Sequence, residues 1–444
     1  MTLLDSMPSL HHVAAMRVDP DVWPLTTRVD VEGRLCVGGV SLNEIADQFG
    51  TPTYVLDEAD FRYRARRYRA ALRGVRIVYA GKALLTKQVA RWLADEGLGL
   101  DVCSPAELAV GLAGGVHPRR IVVHGNAKTT AELRAAADAA VGRIVIDCGT
   151  EIALLASQLR RPQVVLVRVA PGIDIHGHAA VTTGIVDQKF GFTDDQATLA
   201  VRRVLDQPLL HLAGLHCHLG SQVTDPAPYG EAIHRMVSLM ADVRARHGVV
   251  LTELNIGGGH GVPYVAGDAE LDLDRLAEVI DDALDLACAA ERFPRPMVVV
   301  EPGRAVCARA GVTCYRVVAV KSRPGGRTFV AVDGGMGDNP RVALYGARYT
   351  VTVANRHPLG PTQTVTVVGR NCEAGDVIAH DVELPADLHP GDLLAVACTG
   401  AYHHSMASTF NMVGRPPVVA VRDGRAREIV RRETTDDLLA RDVG

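Results

Sequence analysis

The sequence predicts an α/β chain: a closed (β/α)8 TIM barrel, followed by a mostly antiparallel β domain to which the N-terminal segment contributes. Three observations carry that expectation. Short apolar runs recur at residues 75–80, 98–102, 120–124, 143–147, 164–169, 210–217, 251–256 and 297–300, with amphipathic stretches between them. Strand and helix in alternation imply a parallel sheet, and eight units suit closure better than an open doubly wound sheet, the alternative the pattern leaves standing. Beyond residue 302 the texture changes to β-branched segments separated by Gly, Pro, Asn and Asp turns such as Asp423-Gly424.

Taken in order, residues 1 to about 30 show no period and read as an irregular lead-in. Residues 34–37 form a short strand expected to join the β domain. Ser41 and Glu44 then have the spacing of a capping box for a helix ending near Gly50. Residues 53–56 are another strand, and Asp57 can cap the helix after it. Within the barrel, Thr86, the trio Ser104, Pro105 and Glu107, and the pair Thr129 and Glu132 mark helix starts. The β domain follows as strands at 312–320, 328–332, 349–353, 364–368, 377–379, 393–397, 417–421 and 426–430. Residues 431–443 are polar with a short helical signal. The expected division is 1–54 as the N-terminal segment, 55–301 as the barrel and 302–444 as the β domain.

At 444 residues the chain is long enough for two cores, and 48% hydrophobic with 22% charged residues describes a compact, water-soluble protein. A net charge of -4 argues against bulk attraction to nucleic acid or an anionic membrane. The first residues carry no basic stretch leading into an apolar one, and no run reaches about 18 uninterrupted apolar residues. The expected compartment is therefore the cytoplasm, with neither nucleic acid nor membrane as partner. Nine cysteines are scattered with no C-x-x-C pair, against a disulfide framework or a structural zinc site. Most are expected as small buried hydrophobes, Cys372 excepted.

Four segments carry chemistry, and each closes a predicted barrel strand. Lys82 follows Tyr79-Ala80-Gly81 and is either a solvated charge or a reactive amine. His216 and His218, on an extended segment, face one side and suit two metal ligands or one ring stacked on a flat group; no further ligand at metal-site spacing follows, so metal is the weakest option. Ser221 offers a hydroxyl to an anion. The run Gly257-Gly258-Gly259 turns backbone N–H groups inward as a phosphate cradle does, or is a tight turn with no ligand. Glu301 needs a partner, either Arg304 or the protonated nitrogen of a heterocycle. A lysine, an imidazole, a phosphate cradle and a carboxylate at one barrel mouth describe a site for pyridoxal 5'-phosphate, with no metal.

These motifs resemble the diaminopimelate decarboxylases, of the alanine-racemase-type (fold type III) pyridoxal-phosphate enzymes. The resemblance runs from about Val22 to the last residues. It also includes Leu100-Asp101-Val102-Cys103-Ser104, His124-Gly125-Asn126-Ala127-Lys128, Gln188-Lys189-Phe190-Gly191, Asp333-Gly334-Gly335-Met336, Cys372-Glu373-Ala374-Gly375-Asp376 and Gly400-Ala401-Tyr402. It implies that Lys82 attaches the cofactor, His218 stacks on its ring, and Ser221, Gly258, Gly259 and Tyr402 hold its phosphate. Glu301 pairs with the ring nitrogen. Arg304, Arg341 and Tyr345 grip the carboxylate at the unreacting end of the substrate. Cys372 and Glu373 enter from a second subunit, Glu373 reading the distal amine, which implies a homodimer with shared sites. The proton donor is Cys372 or Lys82.

Paired arginines with a carboxylate suit a diamino dicarboxylic acid, so the implied reaction turns meso-2,6-diaminopimelate into L-lysine and carbon dioxide. Several residues depart from the family pattern: Ala374 for serine, Ala127 for asparagine, His260 for leucine, the segment 171–184, which retains His176 and His178 but loses the acidic-aromatic pair often found after them, and the loop Tyr402-His403-His404-Ser405-Met406. The alternative they raise is a related decarboxylase for another or modified diamino acid of secondary metabolism.

Overall fold

The computed structural model describes residues 18–173 and 188–444. The first 17 residues of the predicted lead-in and residues 174–187, with His176 and His178, lie outside them. The chain divides into two compact units, one of residues 1–63, 263–268 and 307–444, the other of residues 64–262 and 269–306.

The first unit begins with β1 (Arg28–Val29), β2 (Leu35–Val37) and β3 (Val40–Ser41), which form a three-stranded sheet of their own. Residues 34–37 thus lie in the same unit as the β domain, as the sequence predicts, though in this small sheet and not in the large one. β2 gives it one backbone bond, Leu35 N to Ala354 O at 2.8 Å. The strand that does enter is β4 (Thr53–Asp57), fully buried and hydrogen-bonded on both edges. Ser41 caps the helix Leu42–Phe49, but its side chain accepts from Asn43 N and not from Glu44 N, so the expected capping box is replaced by a simple cap. Asp57 caps the next helix, Glu58–Ala71, accepting from Ala59 N at 2.9 Å and Asp60 N at 3.3 Å.

Eight parallel strands close the barrel of the other unit: β5 (Arg76–Ala80), β6 (Gly99–Val102), β7 (Ile121–Val123), β8 (Arg143–Ile146), β9 (Gln163–Arg168), β10 (Leu210–His216), β11 (Glu253–Asn255) and β12 (Met297–Val300). Closure is made by β12 pairing with β5 through Val299↔Arg76 and Val300↔Ile77. Inside, Val78, Val122, Val145, Leu166 and Val299 pack as one cluster. Burying each stabilises the fold by about 1.5–3 kcal/mol. The N-terminal mouth is plugged by Glu253, whose carboxylate accepts from Arg76 Nη1 at 2.8 Å and Arg143 Nη2 at 2.9 Å. Thr86, Ser104 and Thr129 cap their helices as the sequence predicts, Thr129 with Glu132 as a complete capping box.

The chain then returns to the first unit with β13 (Gly311–Ser322), β14 (Thr328–Val332), β15 (Val351–Val353), β16 (Thr362–Val368), β17 (Val377–Pro385), β18 (Leu393–Ala397), β19 (Val418–Arg422) and β20 (Arg425–Val430). With β4 they make one nine-stranded sheet in which only β14/β16 and β19/β4 are parallel. β17 runs six residues past its predicted end, since β16 offers it partners as far as Thr362↔Pro385. Cys217, Cys307, Cys314 and Cys398 are buried, Cys36, Cys148 and Cys288 half-buried, and Cys103 and Cys372 exposed, so fewer cysteines serve the core than expected.

Candidate active site

Six of the barrel strands bring the site's residues at or just past their C-terminal ends. β5 leads directly into a 3-10 turn, Gly81–Ala83, that carries the exposed Lys82. A side chain at Gly81 would start 2.8 Å from Asp101 O, so glycine lets the lysine turn lie against β6. β6 carries the buried Asp101, β7 is followed by His124, β10 ends on His216, β11 on Asn255, and β12 is followed by Glu301.

Glu301 is the centre of this group. Its Oε1 accepts from His124 Nε2 at 2.8 Å and from Asn255 Nδ2 at 2.7 Å, and its Oε2 accepts from His216 Nε2 at 3.2 Å. Burial opposes ionisation, but the imidazoles outweigh it and hold the carboxyl well below its ordinary range. His124 is pushed up against its own burial by Asp101, at 3.8 Å, and Glu301. Burial pushes His216 down to about 4, so it donates as a neutral ring. Burial also raises Asp101 to about 7. The partner of Glu301 is therefore not Arg304.

Arg304 turns instead to Ser221, donating from Nη2 to Oγ at 3.0 Å. His218 lies past the end of β10 and does not join His216 at Glu301. Its Nδ1 accepts from Gly258 N at 3.2 Å, and burial with the nearby Lys82 charge keeps the ring neutral.

The triple glycine is a turn that side chains cannot enter. Gly257 and Gly259 have φ of 72° and 96°, and an added Cβ would lie 1.9 Å from Glu301 O at Gly258 and 1.9 Å from Gly220 O at Gly259. Gly257 N donates to Asn255 Oδ1 at 2.9 Å, so the residue that holds Glu301 also sets the turn. Behind it, Tyr229 OH donates to Gly258 O at 2.9 Å, and His260 stacks on Tyr68 with ring centroids 5.5 Å apart and an Nδ1 to OH distance of 2.8 Å. The departure at position 260 is thus a neutral core imidazole, pushed down to about 3 by burial.

The remaining expected residues belong to the first unit. Arg341 opens the helix Arg341–Tyr345, is 7% exposed, and donates from Nη1 to Tyr264 OH at 2.9 Å and to Tyr349 OH at 2.6 Å. Its guanidinium carbon also lies 5.9 Å from the Tyr345 ring centroid and 6.0 Å from that of Tyr402, which sits at a φ of 62°. Cys372 and Glu373 are exposed on a loop tied down by Asp376 Oδ2 to Asn371 N, 2.6 Å, and Asn411 Oδ1 to Cys372 N, 2.9 Å.

Sequence reasoning assigned no role to His124, Asn255, Asp101, Tyr264 or Tyr349. His124 and Asp101 stood inside quoted motifs, at strand ends, which is the one signal that could have raised them. The residues present fit pyridoxal phosphate: an anionic carboxylate fixed by three donors suits a protonated ring nitrogen, a neutral imidazole suits stacking, and a turn closed to side chains leaves backbone beside them.

The description "Pyridoxal-dependent decarboxylase, pyridoxal binding domain" belongs to the family model that matches residues 58–308. The diaminopimelate decarboxylase of Actinosynnema pretiosum subsp. auranticum is 53% identical over 445 residues, covering 100% of both chains. That of Mycobacterium tuberculosis (strain ATCC 25618 / H37Rv) is 44% identical over 98% of this chain and 100% of its own. The crystal structure of the M. jannaschii diaminopimelate decarboxylase in co-complex with L-lysine superposes with a TM-score of 0.88 at 30% identity, covering 94% of this chain and 98% of that one. The chain belongs to the pyridoxal-dependent decarboxylases, and within them to the diaminopimelate decarboxylase family.

Proposed function

We propose that the chain removes one carboxyl group, as carbon dioxide, from the D-centre of meso-2,6-diaminopimelate and leaves L-lysine. The observation that carries this reading is Glu301, a buried anion under three donors at the mouth of a closed barrel, in a chain 53% identical to a diaminopimelate decarboxylase. Pyridoxal 5'-phosphate, when bound, supplies a conjugated ring that accepts the electron pair left by the departing carbon dioxide.

The chain's residues divide the remaining work. Lys82 holds the cofactor covalently, reacting through the lone pair of its amine. Glu301 stays anionic and keeps a proton on the ring nitrogen set against it. His218 packs its neutral ring on the cofactor, and Ser221, Gly258, Gly259 and Tyr402 hold the phosphate. Arg304, Arg341 and Tyr345 bind the distal carboxylate, and Glu373 binds the distal amine. The new C–H bond takes its proton from Cys372 Sγ or Lys82 Nζ.

Cys372 and Glu373 serve the site of a second copy, so the working form is a homodimer. Their exposure on a loop fastened by Asp376 and Asn411 supports this. Mixing Lys82→Ala with Glu373→Ala subunits is expected to restore activity, and no recovery despite confirmed exchange refutes shared sites. A cytoplasmic location accompanies the reading on sequence grounds; no helix among the described residues is long and apolar enough to cross a membrane.

A second substrate reading, a modified diamino acid, is favoured by His403, whose ring meets Tyr349 edge-on at 5.2 Å beside Arg341. A panel of amino acids assayed for carbon dioxide and product chirality separates the two. Turnover of another diamino acid with none of meso-diaminopimelate would overturn the first.

A further inference from the structure

Arg341 is a buried charge with no counterion among the described residues. Among the described residues no carboxylate lies within 4.0 Å of its guanidinium, which is 7% exposed. Its protein hydrogen bonds go to two neutral phenols, each taking one of the two Nη1 protons, Tyr264 at 2.9 Å and Tyr349 at 2.6 Å. Neutral acceptors satisfy donors but do not cancel charge, and a buried guanidinium without an opposite charge is costly. An arginine left in that state is prepared for an anion that arrives from outside the protein.

The two phenols also decide which part of the guanidinium meets that anion. With both Nη1 protons engaged, rotation about the last side-chain bonds is stopped, and the Nη2 and Nε edge is the one left to pair with a carboxylate. The rings are themselves braced. Tyr264 and Tyr349 meet edge to face at 5.3 Å, Tyr264 O accepts from Thr350 Oγ1 at 3.0 Å, and Tyr349 backs onto His403 at 5.2 Å. A free arginine has much rotamer freedom to lose on binding; here the loss is already incurred in the folded chain.

We propose that Tyr264 and Tyr349 are positioning residues that set Arg341 for the distal carboxylate of the substrate, and so set the preference for a diamino dicarboxylic acid over the same diamine without that carboxylate. This rests on the reading of Arg341 as the carboxylate-binding residue given above.

The test uses the holoenzyme and two compounds with the same reacting D-centre, meso-diaminopimelate and D-lysine, which lacks the distal carboxylate. Affinities come from the change in cofactor absorbance on binding, and kcat/KM from carbon dioxide release. Tyr349→Phe and Tyr264→Phe keep the ring and remove one acceptor each. Each is expected to lower the affinity ratio of meso-diaminopimelate to D-lysine about tenfold, the size of one hydrogen bond to a charged group. The double variant is expected to lose less than the product of the single losses, since both act through one guanidinium.

Equal losses for both compounds, or no loss for either, overturn the proposal. Arg341→Gln separates its failure from that of the underlying reading. If Arg341→Gln abolishes the preference and the phenylalanine variants do not, the positioning role falls alone. If Arg341→Gln leaves the preference intact, the assignment of Arg341 falls, and the proposal with it.

Discussion

Asn255 and Glu301 are joined by a 2.7 Å hydrogen bond from Nδ2 to Oε1, while Asn255 Oδ1 accepts from Gly257 N at 2.9 Å. One amide therefore couples the acid at the end of β12 to the glycine turn after β11. Asn255→Asp replaces the donor with a second negative charge and raises the pKa of Glu301. The expected outcome is a drop in kcat of about 10²-fold or more together with weaker cofactor retention, read by carbon dioxide release and by cofactor content after dialysis.

Lys82→Ala is expected to abolish the visible absorbance of the covalently held cofactor and to lower kcat by about 10³-fold or more. A variant that keeps the band and the activity would exclude Lys82 as the attachment point. Lys128, in the loop between β7 and the helix that Thr129 caps, is the comparison: its Nζ is committed to Glu151 Oε2 at 3.0 Å and to two backbone carbonyls, and Lys128→Ala should lower stability and leave the band.

Glu253 joins three strands at the floor of the barrel through Arg76 and Arg143. Removing a buried carboxylate that serves two arginines costs about 3–5 kcal/mol in a sealed interior; Arg76 is 44% exposed, so about 2–3 kcal/mol is expected for Glu253→Ala. The check is a denaturant midpoint shift, with activity per folded molecule retained because the site lies at the other end of the strands.

Asp338 gives the expected pH dependence of stability. It accepts from Tyr315 OH and, at 2.9 Å, from Gly335 N, and burial raises its pKa to about 7. A carboxyl raised on folding contributes stability below its unfolded pKa and loses it as pH rises through the folded value. The window is therefore about pH 4 to about pH 7. Asp338→Asn has no proton to lose, so its stability relative to wild type should rise across that window; a constant difference would show that Asp338 does not titrate there.

Much of the barrel was legible because its signals are local. Thr86, Ser104 and Thr129 cap the helices that their spacing announces, and Lys82, Asn255 and Glu301 stand at or just past the ends of apolar runs. What was not legible depends on closure. His124 and Glu301 are 177 positions apart and meet because β12 pairs with β5. Glu301 could therefore be singled out as a carboxylate in need of a partner, but its partner was sought three residues away, at Arg304. The same holds for Arg341, whose clamp comes in part from Tyr264, 77 positions upstream, and for β4, whose place between β13 and β19 no periodicity in residues 53–57 can convey. The β2 strand was legible as part of the β domain's unit, but its partners were not: β1 and β3, too short to carry a period, take its two edges.

The glycine turn limits where this end of the pocket can be reshaped. Since Gly258 and Gly259 are closed by the backbone of Glu301 and Gly220 whether or not a ligand is present, even alanine there would break the chain path itself. Room for substitution lies one layer outward, at the buried ring of His260 and the tyrosines it touches, where a side chain can be exchanged while the main chain stays put.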